Sequence, residues 1–256
     1  WLGKNSDLYY QLFFGAARIG VVMVPVGWRL APAEIAYIVN DTQARLLFAG
    51  PGFDAAAEAI RGDLKHIERI LGADAARRWI DATPRAPFSA AGAEDAVLQL
   101  YTSGTTGNPK GAVLSNRNLF ALRKHSNEAD MPYTKWEDDE AVLVAMPCAH
   151  IGGTGLGVMA LASGLPGYIL AEFTPDGLFD AIETGGVTRF FIVPAALHIL
   201  LQHPRCTKVD YSRLKYILYG AAPIPLELLR ECIKTFGCEF IQNYGMTETT
   251  GTIVML

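Results

Sequence analysis

Arg189-Phe190-Phe191-Ile192-Val193 is a single charge followed by four apolar residues with no polar alternation. A strand with one wet face alternates, whereas a run of this kind fits a strand covered on both faces. Pro194 then opens a helix through Leu197, Leu200 and Leu201. The same grammar recurs. Tyr216-Ile217-Leu218-Tyr219 reads as a strand that ends in the loop Gly220 to Pro223. A helix from Pro225 to Phe236 follows, with Leu226, Leu229, Ile233 and Phe236 on one face and Gly237 past its end. Phe240-Ile241 is a further strand leading into Tyr244-Gly245-Met246-Thr247-Glu248, and Ala141 to Met146 is one that delivers His150 to a loop. Strands alternating with amphipathic helices predict an α/β fold: layered, mostly parallel sheets with flanking helices. Ligands in such sheets usually bind beyond the strand C-termini.

The N-terminal part carries the pattern more weakly. Ser6 caps a helix whose apolar face is Leu8, Leu12, Ala16 and Ile19, ended by Gly20; Val21 to Val26 and Leu46 to Phe48 read as strands, with a short helix from Pro32 to Asn40 between them. Residues 73 to 95 are rich in Ala, Asp, Arg and Pro and read as a linker, which places one subdomain at 1–85 and a second at 96–256. With 256 residues, half of them hydrophobic, the chain can bury a sizeable core.

Leu98 to Leu114 carries the chemistry. An apolar, β-prone run enters a loop, Thr102-Ser103-Gly104-Thr105-Thr106-Gly107-Asn108-Pro109-Lys110, and a second apolar run leaves it. Glycines let successive N–H groups point into one concavity, hydroxyls add donors and the lysine adds full charge, a combination suited to a polyphosphate. It is not a Walker loop, which needs a glycine directly before the lysine and a helix after it. A polar hairpin turn is the alternative, although the hydroxyls, glycines and lysine exceed what a turn requires.

Tyr101 to Gly111 resembles the signature loop of the adenylate-forming superfamily, which includes acyl-CoA synthetases, aryl-CoA ligases, luciferases and the adenylation domains of peptide synthetases. Three more segments follow in the family's order: Met146-Pro147-Cys148-Ala149-His150-Ile151-Gly152-Gly153, Tyr219-Gly220-Ala221-Ala222-Pro223-Ile224-Pro225, and Gln242-Asn243-Tyr244-Gly245-Met246-Thr247-Glu248-Thr249-Thr250-Gly251. The resemblance implies ATP-dependent activation of a carboxylic acid, of fatty type, to an acyl-adenylate, with transfer to CoA. A carrier protein as acceptor, an aryl-acid CoA ligase and a nucleotide-binding module without catalysis are the alternatives.

The same resemblance implies roles by position. Thr102, Ser103, Gly104, Thr105, Thr106, Gly107 and Lys110 hold the ATP phosphates. Gly220, Ala221, Ala222, Pro223, Asn243, Tyr244 and Gly245 form the adenine site. His150, Ile151, Gly152, Gly153, Tyr219, Gly245 and Met246 form the substrate pocket. Glu248 holds Mg²⁺, Thr247 contacts the α-phosphate, and His150 positions the substrate carboxylate rather than acting as a general base. Lys110, His150, Thr247 and Glu248 are thus the catalytic set, with ATP, Mg²⁺ and CoA as its reagents. Taken alone, a histidine after an apolar strand is more often a core or loop residue, and Tyr244 a core aromatic. Peptide-synthetase domains carry an Asp directly after the position of His150, where it pairs with an α-ammonium. Here Ile151 stands there, and an unpaired ammonium would cost roughly several kcal/mol, so an uncharged acyl or aryl tail fits better.

Other classes recede. A net charge of −4 and no block of Lys or Arg give no footprint for nucleic acid. Cys148, Cys206, Cys232 and Cys238 include no C-x-x-C pair and suit a reducing compartment, hence a cytoplasmic setting with peripheral membrane association as the alternative. His66, His125, His198 and His203 have no motif context, and no cluster has zinc-ligand spacing. Ile151 to Ala171 carries no charge, but its glycines and Pro166 favour a buried helix and a buried strand over a membrane span. A homodimer is among the states the sequence allows. The first residue is Trp1 rather than Met, and the chain ends at Leu256 within a strand-like run. The expectation is an N-terminal fragment, inactive by itself, without the family's Tyr-x-Thr-Gly-Asp motif, hinge and C-terminal lysine.

Overall fold

Ser6 accepts a hydrogen bond from the Leu8 amide at 3.1 Å and so starts helix α1 (Asp7–Arg18) where its side chain predicts. The computed structural model describes residues 1–84, 91–103, 107–128 and 130–256, without the side chains of residues 122–127. The chain divides into two compact units, Trp1–Arg117 and Asn118–Leu256. In the first, α1 is followed by α2 (Pro32–Asp41), β1 (Leu46–Ala49), α3 (Asp54–Ala59), β2 (Arg69–Gly72), α4 (Ala73–Ala82), β3 (Ala96–Thr102) and β4 (Lys110–Ser115). β1 and β2 are parallel, and β3 and β4 form an antiparallel hairpin. Leu2, Val26, Ile35, Ile38 and Leu47 are the centre of one core in this unit.

Two local readings change here. Val21 to Val26 is not a regular strand: it makes single bridges, Met23 to Leu98 and Val26 to Leu2. Pro25 lacks the N–H that a continuous ladder needs. Residues 73–82 are helix rather than linker. Ala and Arg are strong helix formers, and α4 is tied down by Trp79 stacking on Phe48 (centroids 6.1 Å) and by an Arg77 fork onto Asp7 at 2.7 and 3.0 Å. The proline-rich remainder, 85–90, lies outside the described residues. The hairpin β3–β4 belongs to the first unit. Met23 holds it through its amide to Val97 O and through its carbonyl from the Gln99 amide, both 2.9 Å.

After α5 (Asn116–Glu128), the second unit contains β5 (Val142–Val144), α6 (Ile151–Ala162), β6 (Gly167–Ile169), α7 (Pro175–Glu183), β7 (Arg189–Ile192), α8 (Pro194–Gln202), β8 (Tyr216–Gly220), α9 (Leu226–Phe236), β9 (Glu239–Met246) and β10 (Gly251–Met255). Its sheet has the order β6-β5-β7-β8-β9-β10, parallel except for β10 against β9. The apolar run Arg189 to Ile192 is therefore an inner strand, as its composition demands. Phe179, Phe190, Ile192, Leu197, Ile217 and Phe236 are buried around it, each contributing about 1.5–3 kcal/mol by leaving water. β6 differs from its reading as a buried strand: it is an edge, with Tyr168 36% exposed.

Candidate active site

Three of the motif segments gather at one edge of this sheet. β5 runs into Met146–Ala149 and then His150, which caps α6: the His150 carbonyl accepts from the Gly153 and Thr154 amides at 3.0 and 3.1 Å. The Thr154 hydroxyl donates to Cys148 O at 2.6 Å and fixes the approach to the helix. β8 ends at Gly220, paired with Asn243 of β9, and Ala221 follows with φ +65°. Tyr244-Gly245-Met246 does not follow a strand, as expected, but lies within β9, and β10 returns antiparallel beside it. Only glycine suits position 245, because a Cβ there would sit 1.7 Å from the Gly251 carbonyl oxygen. Thr249 closes the turn, accepting from the Met246 amide at 3.1 Å. Ala221 and Thr250 both adopt the left-handed region, a cost of order 1–3 kcal/mol each of the kind concentrated at functional sites.

A cavity of about 790 Å³ opens among these segments, wholly within the second unit. That is the size of a small-molecule site. His150, Ile151, Gly152, Gly245 and Met246 of the predicted substrate pocket line it, as do Ala221 and Asn243 of the adenine set and Thr247. Gly153 and Tyr219 do not line it. A Cβ on Gly153 would meet the Pro147 carbonyl at 2.3 Å, so this glycine serves helix packing, and Tyr219 is buried against Phe240. Gly220, Ala222, Pro223 and Tyr244 lie outside the wall, Tyr244 being 59% exposed. Asn243 Nδ2 donates to the Thr252 hydroxyl at 3.1 Å, which leaves Oδ1 buried and without a partner among the described residues.

His150 lines the cavity and is exposed at its mouth, and the desolvation from its protein neighbours holds its pKa below the ordinary histidine range. A base whose pKa is lower folded than unfolded loses stability as pH falls through its unfolded value, because the unfolded chain takes the proton more readily. Denaturation midpoints measured from pH 7.5 down to 5.5 should therefore decline, and His150→Gln should flatten that decline. An identical slope in the variant would rule out the assignment.

The candidate phosphate loop belongs to the first unit. Thr102 ends β3 and pairs with Lys110 at the start of β4; Ser103, Gly107 and Lys110 are exposed, and Gly107 has φ +133°. Gly104, Thr105 and Thr106 lie outside the described residues. The loop is braced on both sides. The Tyr101 hydroxyl donates to Asp41 Oδ2 at 2.5 Å, and Tyr37 donates to Pro109 O at 3.5 Å.

Glu248 is exposed on the 3₁₀ turn Thr247–Thr249. Mg²⁺ takes one or two carboxylates and completes its shell with waters and phosphates, so a single exposed carboxylate fits that ion. Among the described residues no group of three or more His, Cys, Asp or Glu could form a protein-only cage. All four cysteines are free thiols, and burial pushes Cys232 and Cys238 up to about 12. Among the described residues no helix is long and apolar enough to cross a membrane.

The cavity also exposes what the motifs missed. Arg189 lines it while 1% exposed, ion-paired with the equally buried Glu140 and stacked on Trp136 (4.5 Å) and Tyr216 (4.9 Å). The only signal in the sequence was a charge at the head of a continuous apolar run.

A strand-edge cavity walled by a glycine-tight hairpin, with a capping histidine opposite, defines an open α/β ligand site. The model of the AMP-binding enzyme family matches residues 2–256, and the chain belongs to that family. The fatty acid–[acyl-carrier-protein] ligase ScoC of Streptomyces coeruleorubidus is 35% identical over 260 residues, covering 100% of this chain and 50% of that protein. The indoleacetate–CoA ligase of Aromatoleum aromaticum is 34% identical over 260 residues, covering 97% of this chain and 50% of its own length. The inhibitor-bound N-terminal domain of FACL13 from Mycobacterium tuberculosis superimposes with a TM-score of 0.89 at 26% identity, covering 100% of this chain and 64% of that one. The chain spans about half the length of the curated relatives it matches.

Proposed function

We propose that the protein is an AMP-forming acid–thiol ligase. In the first step the acid's carboxylate oxygen attacks the α-phosphorus of ATP, the bond to the bridging oxygen breaks, and pyrophosphate leaves. In the second the thiol of CoA displaces AMP. Two anions must meet in the first step, so charge neutralisation and positioning dominate its barrier. Lys110 and the hydroxyls of 102–106 grip the β- and γ-phosphates. Glu248 would supply a hard oxygen to Mg²⁺, Thr247 would contact the α-phosphate, and Asn243 would line the adenine site. His150, whose pKa desolvation lowers, orients the acid. The observation that carries this reading is that His150 and the hairpin motif, through Asn243, Gly245 and Thr247, wall one cavity with an apolar interior.

ScoC favours a carrier-protein thiol as an alternative acceptor, and the indoleacetate ligase favours an aryl acid. Four free cysteines suit a cytoplasmic setting. The test is acid-dependent exchange of labelled pyrophosphate into ATP by the full-length protein, followed by CoA or carrier protein as trap. Exchange without any added acid, or none with any acid, would leave a nucleotide-binding module instead.

A further inference from the structure

Helix α2 ends on a carboxylate. Asp41 is its last residue, and no basic residue stands in its last turn. A helix C-terminus carries partial negative charge, so an acid there is disfavoured locally and needs a donor from elsewhere. It has one. The Tyr101 hydroxyl, 60 residues further along the chain, donates to Asp41 Oδ2 at 2.5 Å. Tyr101 stands in β3 directly before Thr102, the first residue of the candidate phosphate loop.

The tyrosine is fixed from further sides. Successive side chains of a strand point to opposite faces, so Tyr101 shares a face with Gln99 and Thr102 takes the other. Gln99 Nε2 donates to the Tyr101 oxygen at 3.3 Å, and the phenol thus both accepts and donates. Across the hairpin Tyr101 pairs with Gly111, where a Cβ would sit 2.1 Å from Gln99 Nε2, so a side chain at that position would displace Gln99. The Tyr101 ring packs against the core that holds Ile35 and Ile38 of α2 itself. Burial, with the Asp41 anion beside it, raises the phenol above its ordinary pKa range. One turn before Asp41, the Tyr37 hydroxyl lies 3.5 Å from the carbonyl of Pro109, the residue before Lys110. That distance is at the outer limit of a hydrogen bond, so the Asp41 arm carries the hold.

We infer that Asp41 and Tyr101 are positioning residues for the phosphate loop: α2 grips the foot of the loop from behind and presets Thr102 and its cross-strand partner Lys110 for the departing pyrophosphate. The inference rests on the ligase reading and adds to it a pair that acts through the loop rather than on the substrate. Donors aimed in advance need no reorganisation during the reaction. A displacement of about 1 Å, caused far from the chemistry, can cost about a hundredfold.

The experiment measures both half-reactions of the full-length protein in Asp41→Ala, Asp41→Asn and Tyr101→Phe. Asp41→Ala and Tyr101→Phe each remove one end of the bond, and each should lower kcat/KM for ATP in acid-dependent pyrophosphate release by about ten- to a hundredfold. Combined, they should cost no more than either alone, because the two residues share one bond. Asp41→Asn keeps an acceptor oxygen and should restore most of the rate. Thioester formation from supplied acyl-adenylate involves no pyrophosphate and should change far less. Thermal midpoints should scarcely move, since Asp41 is exposed and alanine relieves the helix end of an unfavourable charge. Wild-type rates in both single variants, additive losses in the double variant, or an equal fall in both half-reactions would overturn the brace and leave the ligase standing. A drop in midpoint that accounts for the lost rate would overturn it too. No acid-dependent pyrophosphate release by the wild type would overturn the ligase, and the brace's role with it.

Discussion

Glu248→Gln in the full-length protein is expected to slow adenylation by about a hundredfold or more, the scale of one transition-state electrostatic contact. The substitution keeps the shape of the side chain and removes its charge. Glu248 is exposed on a short turn whose closure depends on Thr249 and Gly251, so folding should be unaffected. Mg²⁺ relies on few protein ligands, and losing one hard anionic oxygen acts directly on metal affinity. The Mg²⁺ concentration for half-maximal adenylation should therefore rise along with the loss of rate. A near-normal rate with an unchanged Mg²⁺ requirement would make Glu248 an ordinary surface carboxylate.

Lys110→Ala is the second large effect. Lys110 opens β4 opposite Thr102, with its side chain exposed, so its removal leaves no cavity in a core. A charge-assisted contact to the departing pyrophosphate contributes about 1.5–3 kcal/mol, which corresponds to a loss of about ten- to a hundredfold in adenylation. Thioester formation from supplied acyl-adenylate involves no pyrophosphate and should change far less. Single-turnover measurement of the two half-reactions separates the cases. An equal fall in both would assign the lysine to support of the loop's conformation.

How much was legible can be judged residue by residue. The inner strand at Phe190–Ile192, the Ser6 cap and the α9 helix followed by the left-handed Gly237 (φ +63°) were readable because each is a local effect: burial pattern, side-chain cap and C-terminal glycine. Composition failed at 73–82, because alanine and arginine are compatible with linker or helix until Trp79 finds Phe48. It failed again at Val21–Val26, where continuity of a ladder depends on a partner strand and not on the segment's own propensity.

By itself the sequence determined the α/β class, the motif order and the residue types able to hold a nucleotide, since these depend on short-range periodicity and on the chemistry of consecutive residues. Tertiary structure alone decided which motif residues share a cavity. It placed Asn243 and Gly245 in the wall, turned Tyr244 outward, withdrew Gly153 into packing, and brought Arg189 into the lining. The physical reason is that a charged residue heading an apolar strand is neutral information in one dimension. Only the parallel register that sets Arg189 beside Val142 brings that charge against Glu140, Trp136 and Tyr216.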